Sequence, residues 1–219
     1  RYARPPQMAV LSAPETTSLV EMVLSQSTSI IKSFKQGEVA ERQRRIGIST
    51  LKQDALRDRF GIDLTMPSAY RVFKEDDKTV WFQREIQKGH VNILVYELPK
   101  STAFDWENPL QDVIRIRDSV GKAFVPGRLE GAHLITEEAY KPYVYYTKIG
   151  GLSAIETRGT WEVKGDFMAG PYLQYFLDDK ANNRYLVMEG FAFAPSVAKR
   201  DYVFEAEAIM KSIQEIKFD

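Results

Sequence analysis

No cysteine occurs among the 219 residues, and only two histidines do. Disulfide frameworks, thiolate chemistry and cysteine-bearing metal sites are therefore excluded. His90, beside Gly89 in Lys88-Gly89-His90, reads as a solvated turn residue, and His133 stands alone on an apolar piece. Zinc takes three or four nitrogen or sulfur ligands, so no metal and no cofactor is expected. Net charge is lacking as well: 30 basic residues balance 30 acidic ones. That removes the positive footprint of a nucleic-acid binder. The one basic knot, Arg42-Gln43-Arg44-Arg45, follows Glu38 and Glu41 and reads as a solvated helix end. No apolar run approaches the roughly 20 residues of a membrane span. A nucleophile elbow, a P-loop and a dinucleotide glycine fingerprint are all missing. Asp178-Asp179-Lys180-Ala181-Asn182-Asn183 lacks the spaced carboxylates and closing Glu of a calcium loop and reads as a polar hairpin turn.

What is present is core material. Apolar residues make up 44% and aromatics 12% of the chain, which excludes disorder. Residues 7–12 read as a short strand. Ser12, Pro14 and Glu15 then open a helix, with Leu19, Val20, Val23, Leu24, Ile30, Ile31 and Phe34 as its buried stripe and residues 35–45 as its exposed charged end. Thr50 and Gln53 open a second helix that stops at Gly61. Strands are predicted over residues 70–74, 79–85 and 91–98, followed by Pro99 and a helix from Asn108-Pro109 with Leu110, Val113, Ile114 and Val120 inward. Further strands are predicted over residues 140–146, 154–164, 171–177 and 184–194. Pro195 and a Ser196-capped helix carrying Val203, Ala206, Met210 and Ile213 follow.

These pieces predict an α+β fold, with antiparallel strands in one or two sheets and helices packed on one face. A doubly wound parallel sheet is the alternative. One domain is expected over residues 1–219, with a helical segment at 13–60 and two βββα halves at 66–121 and 152–214, whose shared element order suggests an internal duplication. A start at Arg1 in place of Met predicts a truncated or processed fragment, whose strand at residues 7–12 would pair with protein outside this chain or with a second copy.

The stretch 158–200 packs charges, glycines and aromatics into adjoining strands. Glu189 shares a side with Val187, Phe191 and Phe193 by period-two alternation. A carboxylate there needs a partner, and Arg158 is the predicted one. Two readings stay open. In the first, Arg158, Trp161, Asp166, Met168, Glu189, Phe191 and Arg200 belong to a non-catalytic surface that binds a peptide, a glycan or a partner protein. In the second, Asp166 and Glu189 act as acid and base of a hydrolase, with Arg158 holding an anionic group.

Arg158-Gly159-Thr160-Trp161, then Gly165-Asp166-Phe167-Met168-Ala169-Gly170-Pro171, then Glu189-Gly190-Phe191-Ala192-Phe193-Ala194-Pro195 and Lys199-Arg200 resemble the C-terminal signature of a domain-of-unknown-function family. Its members are predicted lipoproteins of Bacteroides-type bacteria. Tyr2-Ala3-Arg4-Pro5-Pro6-Gln7 and the helix end Glu38-Val39-Ala40-Glu41-Arg42 resemble that family's middle. Ala169-Gly170-Pro171 stands where the family has Gly-Gly-Pro. The resemblance implies a cell-envelope address, an anchor upstream of Arg1 as the only membrane contact, and a further strand–helix–strand segment ahead. It implies no activity.

Overall fold

β-Branched and aromatic residues crowd the chain from residue 71 onward, and there it folds as sheet. The computed structural model describes residues 7–215; the part of the resemblance carried by residues 2–6 lies outside them. The elements run α1 (Thr16–Ile46), α2 (Ala55–Phe60), β1 (Ile62–Asp63), β2 (Arg71–Glu75), β3 (Thr79–Ile86), β4 (Gly89–Pro99), α3 (Leu110–Phe124), β5 (His133–Thr136), β6 (Tyr143–Ile149), β7 (Leu152–Lys164), β8 (Ala169–Asp179), β9 (Arg184–Phe193), α4 (Arg200–Met210) and β10 (Gln214–Glu215). The fold is α+β, and its strands pair antiparallel throughout. Residues 7–12 form no strand.

Eight strands make one sheet in the order β2-β3-β4-β9-β8-β7-β5, with β6 also on β7. The long β7 carries two neighbours on its outer edge in succession. β6 pairs with it from Leu152 to Arg158, and β5 from Trp161 to Lys164. At the centre β4 lies against β9, so that β2-β3-β4 and β9-β8-β7 meet back to back.

The helices cover both faces of the sheet, which corrects the expectation of one. Phe82, Ile93, Leu173 and Met188 pack against Leu56 and Phe60 of α2 and Ala206 and Met210 of α4. Trp81, Leu94, Phe176, Val187 and Phe191 face the opposite way, toward Ile116 and Phe124 of α3. The reason lies in the strands. Tyr172-Leu173-Gln174-Tyr175-Phe176-Leu177 is buried throughout, and a strand without polar alternation needs cover on each side. α3 and α4 lie on opposite faces, so the two βββα units differ in where their helices pack.

The long helix inverts the burial read from its sequence. Val20, Val23, Leu24, Ile31 and Phe34 are exposed, whereas Val39 and Ile46 are buried. The supposedly solvated end is the anchor. Arg42 pairs with Glu205 of α4 and Gln43 Nε2 donates to the Ala208 carbonyl at 2.9 Å. No helix among the described residues is long and apolar enough to cross a membrane.

Gly61 ends α2 in the left-handed region, as expected, at φ 63°. Gly190 has a different task. A Cβ there would stand 2.4 Å from the Ala206 Cβ, so the missing side chain lets α4 lie close on β9.

Candidate functional site

The register decides the fate of the predicted Arg158–Glu189 pair. Arg158 stands opposite Leu173, and Leu173 opposite Gly190. Glu189, one residue along, therefore points to the other face, and the two side chains lie on opposite sides of the sheet. Arg158 instead reaches Glu156 (Nε–Oε1 2.5 Å) and Glu207 of α4 (Nη2–Oε2 2.9 Å).

Glu189 does lie on the apolar side expected for it, but its partner comes from α3. Arg117 donates to Glu189 Oε1 from Nε (3.1 Å) and Nη2 (2.8 Å), and from Nη1 to Thr136 Oγ1 (3.0 Å). Gln174 Nε2 donates to Glu189 Oε2 at 3.2 Å, and the guanidinium lies 4.0 Å from the Tyr172 ring centroid. Arg117 and Glu189 are 1% and 2% exposed. Val113, Ile116, Arg117, Gly121 and Phe124 share the buried stripe of α3, so an arginine at helical spacing on an apolar face was the missed signal.

Asp166 is elsewhere. Gly165, at φ 87°, turns the chain between β7 and β8. Arg128 then grips Asp166 with Nε–Oδ2 and Nη2–Oδ1 both 2.7 Å, while the Phe167 amide donates to Oδ1. Hydrogen bonding to Arg128, reinforced by that amide, holds the carboxyl down at about 2. It is ionised at neutral pH and has no proton to give. Glu189 is registered with Gln174, and β8 runs on to Ala169 before the turn. At ~3.3 Å per residue that is ~17 Å, against the roughly 5–9 Å between the carboxylates of a glycosidase pair. The two acids do not share a site.

Three of the predicted residues do converge. Trp161 of β7, Phe191 of β9 and Met168 of the β7–β8 turn line a cavity of about 300 Å³ on the α3 face. Phe73, Trp81, Gln83, His90 and the segment from Val125 to Arg128 complete its wall. A β-bulge builds one side: Val72 pairs with Phe82 and Lys74 with Trp81, leaving Phe73 as the extra residue. The bulge turns the Phe73 ring onto Trp81, at 4.7 Å between centroids. Trp161 meets Phe191 edge-on at 5.7 Å. Gly170 permits this, since a Cβ there would stand 3.1 Å from Trp161 Nε1 and 2.1 Å from the Ala192 carbonyl oxygen. Ala169, where the family signature has glycine, is exposed and obstructs nothing. Arg200 is remote from the cavity, at the start of α4 beside Glu38 and Arg42.

The polar wall has a fixed direction. An indole N–H can only donate, so the Trp81 Nε1 contact with Asn92 at 3.0 Å identifies the Asn92 atom as Oδ1. Asn92 Nδ2 then donates to the Phe191 carbonyl at 3.3 Å and to His90 Nδ1 at 2.8 Å. His90 thus accepts at Nδ1 and carries its proton on Nε2. Burial lowers its pKa below the ordinary 6.5, and protonation of Nδ1 would set two donors against each other. The solvated turn residue of the sequence reading is a half-buried wall residue. Among the described residues no group of three His, Cys, Asp or Glu side chains could hold a metal.

No protein of curated function matches the sequence. Among solved structures the chain is similar to one from Bacteroides thetaiotaomicron VPI-5482, at 11% identity and a TM-score of 0.39. That likeness covers 72% of this chain and 46% of the other, so this chain spans less than half its length. It is also similar to Mycobacterium tuberculosis LpqN, described as involved in cell envelope biogenesis (13% identity, TM-score 0.40, 69% and 81% covered). A third likeness is to the Saccharomyces cerevisiae Ran-binding protein Mog1p (9% identity, TM-score 0.45, 71% and 90% covered). At such identities and TM-scores none of them bears on what this chain does. One family model matches, over residues 49–212, and with it the chain belongs to the family described as Domain of unknown function (DUF4837).

Proposed function

We propose that this chain is a non-catalytic binding domain of a cell-envelope protein, and that the cavity beneath Phe73 takes an apolar ring presented by a peptide, a glycan or a partner protein. The observation that carries the reading is the cavity itself, about 300 Å³, lined by two tryptophans, two phenylalanines and His90, whose proton is on Nε2. That volume is the low end of ligand-pocket size and suits one ring. The hydrolase reading has no geometry left in its support, since Asp166 and Glu189 are each committed to an arginine and stand far apart. The envelope address rests on the resemblance of the signature at 158–200, and fractionation of cells making the full-length protein tests it. Recovery in the cytosol would end it.

Two of the three tryptophans, Trp81 and Trp161, line the cavity, so intrinsic fluorescence reports its occupation. Peptide and glycan libraries should yield ligands that change this emission saturably, and Phe73→Ala should abolish the change while the fold persists. Libraries that never perturb the emission would overturn the reading. So would turnover of a glycan or peptide that both Asp166→Asn and Glu189→Gln abolish in folded protein.

A further inference from the structure

A second recess, larger and open, has two walls of different kinds. Thr28, Ile31, Lys32, Lys35, Val39 and Gln43 supply one of them. Their spacing of three and four places them on a single face of α1. The other wall includes residues 146–150 without a gap. Successive side chains of a strand point to opposite faces, so a recess lined by every residue in turn follows the strand's edge and not one of its faces. The strand is β6, which pairs with β7 alone. On its outer side no hydrogen bond among the described residues reaches the β6 backbone.

A helix face running beside a free strand edge is the geometry that accepts an added strand. The two outer edges of this sheet differ in how they meet that hazard. β2 is short, bulged and studded with Arg71, Lys74 and Glu75, all devices that deter pairing. β6 keeps an unbroken register with β7 over its seven residues, and Lys148 is its only charge. The recess is also one-signed: four lysines line it and no carboxylate does. Lys211 is bonded to Glu207 at 2.5 Å, whereas Lys32, Lys35 and Lys148 make no ion pair among the described residues.

We infer that the groove between α1 and the free edge of β6 binds an extended acidic peptide segment, which adds to the sheet as a strand beside β6 with its carboxylates on Lys32, Lys35 and Lys148. The backbone ladder supplies the fit and the lysines select the charge. The site is separate from the aromatic cavity, and Phe73→Ala leaves it untouched.

The probe is a fluorescein-labelled peptide of alternating Glu and Val, about eight residues long, enough to run the ~17 Å of exposed edge. Its controls are a Lys and Val counterpart and the same acidic peptide N-methylated at alternate residues, which keeps the charge and loses the ladder. By anisotropy the acidic peptide should bind saturably and the basic one should not. N-methylation should remove binding, and Lys32→Glu with Lys35→Glu should weaken it about tenfold or more. Amide exchange at residues 146–150 should slow in the complex. Absence of binding overturns the inference. Binding that survives N-methylation, or that ignores the lysine substitutions, does so too, because it would be mere attraction to a basic surface or to another site.

Discussion

Single side chains matter most here where charge is buried. Glu189→Gln leaves the Arg117 guanidinium in the core with only the partly exposed Asp118 carboxylate, 3.8 Å away, as counter-charge, and the expected cost is about 3–5 kcal/mol in urea unfolding. Changing Arg117 and Glu189 to methionine together should cost less than either single change, because no charge is then stranded. His90 gives a different signature. Its folded pKa lies below 6.5, so the unfolded chain takes up a proton that the folded chain refuses. The stability this confers is present above about pH 6.5 and is lost as pH falls toward the folded pKa. Comparison with His90→Gln between about pH 7 and pH 5 checks the sign: the variant should lose less stability on acidification. At this scale the sequence was half legible. Alternation placed Glu189 on the correct face, but a partner contributed by a distant helix leaves no trace in strand periodicity. His90 is held in the wall and not in solvent because Asn92, two residues on, is a buried polar group that needs partners.

Between whole elements the decisive contacts are close approaches and anchors. Gly190→Ala would force β9 and α4 apart by setting a methyl group 2.4 Å from Ala206 Cβ, with an expected cost of about 1–3 kcal/mol in thermal or urea unfolding. Ala169→Gly, which restores the family's pattern, should change stability little because that position faces solvent. Helix α1 should divide sharply. Deleting residues 7–34 removes exposed turns, whereas deletion through residue 46 also removes Val39, Ile46 and the Arg42–Glu205 and Gln43–Ala208 contacts. Calorimetry should find the shorter deletion near the parent's Tm and the longer one well below it. The hairpins β3–β4 and β8–β9 and the α4 stripe were readable because their signals are local. The burial of α1 was not: helical spacing says which residues share a side, not which side another element will cover.

For the molecule as a whole, antiparallel α+β architecture followed from short strand–turn–strand spacing, whereas strand order did not. Nothing in the sequence announces that β4 lies against β9, or that β5 and β6 share one edge of β7. The β4–β9 seam has a kinetic consequence. Each hairpin closes over a turn of a few residues, whereas the seam joins partners 85 to 103 residues apart, from Pro99↔Arg184 to His90↔Phe193, about four to five doublings of loop length and ~2.5–3 kcal/mol of extra closure entropy. The barrier to folding should therefore fall where the two three-strand halves zip together. In stopped-flow experiments Val95→Ala, at the seam opposite Met188, should chiefly slow folding, and Val144→Ala on peripheral β6 should chiefly hasten unfolding. The reverse pattern would mean that the edges nucleate and the centre closes last. The strands buried deepest on both faces would then be the last to leave water.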